Sequence, residues 1–162
     1  TKEAQETLSR LLEVEPRHEE GLKLKARLLM SENHTHEALQ SLELLMGLPE
    51  LPEDRRIDYQ AMMAECYISR GETRKAVELF ERLKSDDPAH RDEYEYRMGT
   101  LLFEMDQFQE AVEAFRNVFA NPASPYRDKP ELKAQMAAAL CNVGVELYEA
   151  EDLEGALHHY ME

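Results

Sequence analysis

The stretch RGETRKAVELFERLKSDDP, residues 70–88, decides the fold. It opens with the turn signal Arg70-Gly71-Glu72 and closes at Pro88. Between them, one face of a 3.6-residue period is apolar and is made by Val77, Leu79, Phe80 and Leu83. A second helix-sized segment, 57–70, comes directly before it. Because only Gly71 and Glu72 separate the segments, the stretch predicts a tight hairpin of two antiparallel helices.

The hairpin signature recurs along the chain. Ala76 is followed four residues later by Phe80, and the same alanine-x-x-x-apolar pair occurs as Ala4/Leu8, Ala38/Leu42, Ala111/Phe115 and Ala156/Tyr160. Twelve residues before four of these alanines stands another small residue, in the pairs Ala26/Ala38, Ala64/Ala76, Gly99/Ala111 and Gly144/Ala156. Since two helices approach closely only where side chains are small, we expect the members of each pair to face one another.

Successive alanines lie 34, 38, 35 and 45 residues apart. The additional residues fall in two helix-breaking segments, GLPELPEDRR at 47–56 and NPASPYRDKPEL at 121–132. Insertions therefore lengthen the loops between hairpins and leave the hairpins themselves unchanged.

These residues resemble the tetratricopeptide repeat family, whose 34-residue unit has the pattern W-x2-L-G-x2-Y, then A-x3-F, then P. The copy at 57–90 carries Met63, Ala64, Tyr67, Ala76, Phe80, Leu83 and Pro88 at matching places, with Gln60 where the family often has Trp. The resemblance implies an all-α protein, a right-handed superhelix of stacked antiparallel helix pairs, or α-solenoid.

The resemblance covers nearly the whole chain as a single array. Residues 1–18 resemble the second helix of a truncated repeat, followed by repeats at 19–52, 57–90, 92–122 and 129–162, the last with an extended first helix. Nine helices are expected, near 2–14, 18–31, 35–46, 53–70, 73–85, 90–105, 108–120, 129–150 and 153–162. Because the chain starts within a repeat, we expect it to be a fragment of a longer protein.

Charge and composition narrow the partners. The net charge of −15 repels phosphate groups, so nucleic acid and anionic membrane surfaces are not expected as partners. No stretch approaches the roughly 18 unbroken apolar residues that a membrane span needs. Cys66 and Cys141 lie inside apolar helical patterns, which predicts two buried thiols and a reducing, cytoplasmic location.

The sequence offers no catalytic or metal-binding pattern. His158 and His159 are adjacent and point about 100° apart on a helix, so they cannot chelate one ion from the same face. His34 and His36 lie in a turn, where a weak adventitious metal site is the only alternative. We therefore predict a non-catalytic protein without a cofactor or a metal.

A second stripe on the first helix of each hairpin is the candidate binding surface. Tyr96, Thr100 and Phe103 recur at i, i+4 and i+7, separate from the core stripe of Met98 and Leu102. In the resembled family, first helices line a concave groove for a peptide or a partner helix. The corresponding residues here are Lys23, Arg27, Met30, Ala61, Glu65, Ile68, Cys141, Val145 and Tyr148.

Two accounts of this stripe remain open. Tyr96, Phe103 and Tyr148 either fill contacts between neighbouring first helices or anchor a partner. As anchors among acidic residues, they predict an apolar and acidic groove for a protein segment that is apolar with basic character.

Three functions follow from the sequence: a protein-interaction scaffold, a module that self-associates through exposed terminal repeats, or a regulatory domain of a larger enzyme. Family members that grip acidic chaperone tails resemble one another in a set of Lys, Asn and Arg side chains. Here Lys23 matches that set, but Arg27, Met62 and Glu93 stand where Asn, Asn and Lys are expected. We therefore predict no tight binding of an acidic tail.

Overall fold

The computed structural model describes residues 2–149 and 153–161. Over these residues the chain forms nine α-helices and one short 3-10 helix, and none of them lies in a strand. The helices are α1 (Lys2–Val14), α2 (Glu19–Ser31), α3 (Thr35–Met46), α4 (Glu53–Ser69), α5 (Thr73–Asp86), α6 (Arg91–Glu104), α7 (Phe108–Ala120), α8 (Pro130–Glu149) and α9 (Leu153–Met161). The 3-10 helix, Pro88–His90, directly precedes α6.

The helix positions predicted from the sequence are confirmed to within one residue at every predicted end that lies among the described residues. Two predicted ends, at 150 and 162, lie outside the described residues. At 20 residues, α8 is the longest helix among the described residues.

The three described hairpin turns share one backbone design. Each places one residue in the left-handed region, with φ of 60° at Asn33, 73° at Gly71 and 59° at Asp106. The next residue donates its backbone N–H to the carbonyl five residues earlier, at 2.8 Å for His34 and 2.9 Å for both Glu72 and Gln107. The left-handed residue thus ends one helix, and the following helix starts two residues later.

The chain divides into two compact units, residues 1–79 and 80–162, which we call unit 1 and unit 2. In unit 1, α2 packs against α1 and α3, and α3 packs against α4. Its core is formed by the buried side chains of Leu22, Ala26, Ala38, Leu39, Leu42, Leu45, Leu51, Tyr59 and Cys66.

In unit 2, α6 packs against α7 and α8, α7 against α8, and α8 against α9. One core cluster contains Val112, Ala139, Leu140 and Val143, with Phe103, Phe108, Met136 and Leu147 packed against it. The predicted core stripe of α6 is confirmed, because Met98 and Leu102 are both buried.

The small residues of the repeat are buried, and at two of them, Gly99 and Gly144, a large ring lies closest to the backbone. Ala26, Ala38, Ala64, Ala76 and Ala111 are fully buried. At Gly99, however, the three atoms nearest to an added Cβ all belong to the ring of Phe115, and at Gly144 they all belong to Tyr160. At both glycines the nearest contact of an added Cβ is therefore with a ring four residues after the alanine that the sequence paired with the glycine. There the first helix offers a small residue so that a large ring of the second helix fits against its backbone.

Candidate functional site

In unit 1, a concavity lies between the first helices of two successive predicted repeats. Its volume is about 480 Å³, and it is lined by Lys23, Arg27 and Met30 of α2 and by Asp58 and Met62 of α4. The structure thus brings together the three α2 residues that the sequence placed on the binding stripe. Met30 and Met62 are half-buried and supply an apolar floor that adapts to side chains of different shape.

On α4, the residues that line the concavity are not those that the sequence predicted. Ala61, Glu65 and Ile68 are half-buried but are not among the residues that line the concavity. Asp58 and Met62 line it instead. Asp58 and Met62 are four residues apart, a spacing that places them on one helix face just as the predicted residues share another face. Only the rotation of α4 about its axis shows which face lines the concavity.

The lining carries charges of both signs. Lys23 lies 3.8 Å from the carboxylate of Glu20 in an exposed ion pair, and Arg27 is exposed beside it. Across the concavity, Asp58 presents a carboxylate. A segment that binds here therefore meets two cations on one wall and an anion on the other.

A polar network holds the two walls together. The hydroxyl of Tyr59 on α4 donates to Glu19 Oε1 on α2 at 2.7 Å, and Arg55 donates to Glu19 Oε2 at 2.6 Å. The hydrogen bond from Arg55 and then that from Tyr59 hold the pKa of Glu19 below its ordinary value. Burial, followed by the hydrogen bond to Glu19, raises the pKa of Tyr59 well above the ordinary value for tyrosine. The carboxylate and the neutral phenol are therefore the stable forms.

In unit 2, Tyr96 is already covered. Its ring stacks on that of Tyr126 with centroids 5.2 Å apart, and Lys129 Nζ lies 4.8 Å from the Tyr96 centroid. Both covering residues belong to the loop between α7 and α8. No sequence pattern relates this loop to α6, because the two segments are distant along the chain.

The other two α6 residues of the stripe make contacts inside unit 2. Thr100 Oγ1 donates to Gln135 Oε1 of α8 at 3.2 Å. The ring of Phe103 meets that of Phe108 edge-on at 5.6 Å and packs against the core cluster. For Phe103 this packing favours the first account, in which the side chain fills contacts between neighbouring first helices, because the core cluster includes Ala139, Leu140 and Val143 of α8.

On α8, the predicted residues form an exposed stripe. Cys141 is exposed, and the exposed fractions of Val145 and Tyr148 are 44% and 62%. The predicted burial is confirmed for Cys66, where burial raises the pKa of the thiol. It is wrong for Cys141, because the apolar pattern around that residue belongs to two faces of α8 and the thiol lies on the open one.

The described part of the chain contains no group of three or more His, Cys, Asp or Glu side chains that could hold a metal ion. Among the described helices, none combines the length and the apolar character that crossing a membrane requires.

Comparison with known proteins identifies the repeat. The family model for the tetratricopeptide repeat matches residues 61–90 and 93–124. A search of curated proteins finds no match.

Solved structures share the fold. A structure of TPR-like repeats of a putative kinesin light chain from Podosopora anserina has a TM-score of 0.62 and 21% identity, over 98% of this chain and 82% of that one. YrrB, described as a TPR protein with an unusual peptide-binding site, has a TM-score of 0.61 and 17% identity, over 98% and 73% of the chains. MamA has a TM-score of 0.57 and 14% identity, over 95% and 81%. At these identities the likeness shows the fold alone.

Proposed function

We propose, from the tetratricopeptide repeats that this chain carries, that it is a non-catalytic protein-interaction scaffold. The observation that carries the proposal is the concavity of about 480 Å³ between α2 and α4 of unit 1. It is an open, half-apolar surface on two neighbouring first helices, joined by the Glu19–Tyr59 hydrogen bond. Walls that are already joined by a hydrogen bond need less ordering when a partner segment binds. We also propose the cytoplasmic location inferred from the sequence, in which free thiols such as Cys66 and Cys141 are common.

The chemistry of the lining indicates the kind of segment that fits. An apolar side chain seats on Met30 and Met62, while a basic side chain of the same segment pairs with Asp58. Lys23 and Arg27 supply hydrogen-bond donors for the backbone carbonyls of the segment. The net charge of −15 attracts a basic segment from a distance. We therefore propose a partner peptide or helix that is apolar with basic character.

The test is a peptide library selected on the wild-type chain, with the affinities of the selected peptides then measured by calorimetry. Met62→Glu puts a charge on the apolar floor and is expected to weaken binding by a factor of about 10 or more. Leu44→Glu is the matched control, because Leu44 lies on α3, is 52% exposed and does not line the concavity. Equal loss in both variants, or no loss in either, would place binding elsewhere.

A second candidate function, self-association, is favoured by α9. Three large apolar side chains of this helix are exposed, Leu157 by 60%, Tyr160 by 52% and Met161 by 78%. A face of this kind gains free energy when another helix covers it. Light scattering at increasing concentration tests it: the mass should rise for the wild type and stay monomeric for Leu157→Glu.

A further inference from the structure

The loop of residues 121–129, which we call the strap, lies over the binding stripe of α6. Its Tyr126 stacks on Tyr96 at 5.2 Å with the ring planes 22° apart. Its Lys129 places Nζ 4.8 Å from the Tyr96 centroid and 4.6 Å from that of Tyr126. The cation and the two rings form one stack, in which each contact is of the cation–π or aromatic kind.

A carboxylate completes the arrangement. Glu93, which stands three residues before Tyr96 on α6, lies close enough to the Tyr126 phenol to act on it through its negative charge. Burial of the phenol, with the negative charge of Glu93 beside it, raises the pKa of Tyr126 above its ordinary value. Glu93 and Tyr96 thus form a small receptor surface for an aromatic side chain and for a cation.

The strap is anchored at its first residue and is folded into turns. Asn121 Nδ2 donates to Asp92 Oδ2 at 2.6 Å, and Asn121 Oδ1 accepts from the backbone N–H of Ala123 at 3.1 Å. Further along, the backbone N–H of Lys129 donates to the carbonyl of Tyr126 at 3.1 Å. That bond brings the two side chains that touch Tyr96 to the same side of the strap.

We propose that the strap occupies, from within the chain, the place of a partner segment on α6, so that Glu93 and Tyr96 form a binding site for a segment with an aromatic residue followed three residues later by a lysine. This inference rests on the proposed function, because it takes the first helices as the binding surface. It gives unit 2 a ligand class of its own, a segment with an aromatic residue and a lysine. It also makes access to that site dependent on release of the strap.

The choice of occupant follows from the contacts. Tyr126 and Lys129 show which side chains the surface accepts, and both match the apolar and basic character expected of the partner. A tethered strap acts at an effective concentration in the millimolar range. A free segment with the same contacts therefore competes poorly with the strap for this site until the strap dissociates from α6.

The experiment uses the strap itself as the probe. A synthetic peptide of residues 121–132, NPASPYRDKPEL, is titrated into the isotope-labelled wild-type chain and into the Tyr126→Ala/Lys129→Ala chain, with amide resonances of α6 followed by NMR. The released variant is expected to bind the peptide about ten times more tightly than the wild type, because its own strap no longer competes. The resonances of Glu93 and Tyr96 should shift.

Three controls make the result decisive. The same peptide with both substitutions should cause no shift, and Tyr96→Ala added to the released variant should abolish binding. Tyr126→Phe keeps the ring stack and should keep the site closed. Equal binding by the wild type and the released variant overturns the proposal, and so does no binding to the released variant up to about 5 mM, above the range of the tethered strap. None of these readouts involves the concavity of unit 1. The Met62→Glu experiment therefore tests the proposed function independently of the strap.

Discussion

The backbone of Gly99 lies directly against the ring of Phe115. A Cβ added at Gly99 would stand 2.6 Å from Phe115 Cδ1, well inside van der Waals contact. The ring is fully buried, so it cannot swing into solvent to make room. This contact joins α6 to α7, and it explains why a glycine is found in the middle of a helix, where it is otherwise unfavourable.

We expect Gly99→Ala to destabilise unit 2 by about 2 kcal/mol, since the cost of overpacking exceeds the gain in helix propensity. Chemical denaturation measures the loss. Gly144→Ala is the matched control, because its ring partner Tyr160 lies 2.9 Å from the added Cβ but is 52% exposed and can move aside. If the two variants lost the same stability, the burial of Phe115 would not be the cause.

The left-handed turns predict opposite effects of two substitutions. Gly71 adopts φ of 73°, so Gly71→Ala should cost about 1 kcal/mol of unfolding free energy. Asp106 occupies the equivalent place at φ of 59° without the freedom of glycine, so Asp106→Gly should be neutral or stabilising by up to about 1 kcal/mol. Thermal unfolding of both variants checks the pair. A loss on Asp106→Gly would mean that the aspartate side chain contributes more than its backbone costs.

The Glu19–Tyr59 bond predicts a pH dependence for unit 1. The pKa of Glu19 is lowered from its ordinary 4.5 in the folded chain, because the ionised form receives hydrogen bonds from Arg55 and Tyr59. Its contribution to stability is therefore complete above pH 4.5 and is lost as the pH falls through the lower folded pKa. Denaturation between pH 7 and about pH 3 should show a smaller decline for Glu19→Gln than for the wild type.

Tyr59→Phe tests the same bond at neutral pH. Because the acceptor is charged and Tyr59 is buried, removal of the hydroxyl should cost about 1.5 kcal/mol. Tyr67→Phe serves as the control, since the Tyr67 side chain is only half-buried. An unchanged midpoint for Tyr59→Phe would show that solvent replaces the bond fully.

A buried ion pair predicts strong coupling in unit 2. Glu95 is 1% exposed, and its Oε1 receives Lys84 Nζ and Asn117 Nδ2, each at 3.1 Å. Lys84→Met leaves the carboxylate without its closest cation and should cost about 3 kcal/mol. The double variant Lys84→Met/Glu95→Leu should recover most of that loss. A double variant as unstable as Lys84→Met would show that packing, not charge, sets the cost.

The charges that line the concavity of unit 1 predict weak binding of acidic peptides. Asp58 offsets one of the two positive charges, on Lys23 and Arg27, that could hold a carboxylate of an acidic tail, and the net charge of −15 repels such a tail from a distance. We expect an acidic C-terminal peptide to bind no more tightly than about 10 μM, because like charges across a site cost affinity. Asp58→Asn should strengthen that binding. Submicromolar affinity of the wild type in calorimetry would contradict the expectation.

Much of the fold was predictable because its signals are local. The alanine-x-x-x-apolar pairs and the turn at Gly71 located the helices to within one residue at each end. The partner of Gly99 was not predictable in the same way. Two side chains one helical turn apart, Ala111 and Phe115, were both available to face it, and only the packing of α6 against α7 selected the ring.

The candidate site was predicted in part, for a related reason. The α2 residues Lys23, Arg27 and Met30, which the sequence placed on one stripe, line one concavity together. On α4, residues that differ by one position point about 100° apart, so the sequence could not tell the stripe of Ala61 from that of Asp58 and Met62.

The sequence by itself determined which segments are helices, where they turn and how the repeat recurs, because helix periodicity and turn chemistry depend on residues close along the chain. The tertiary structure alone decided which stripe lines the concavity and that Tyr126 covers Tyr96 from 30 positions away. Those outcomes depend on helix rotation and loop path, which are set by contacts between residues distant in sequence.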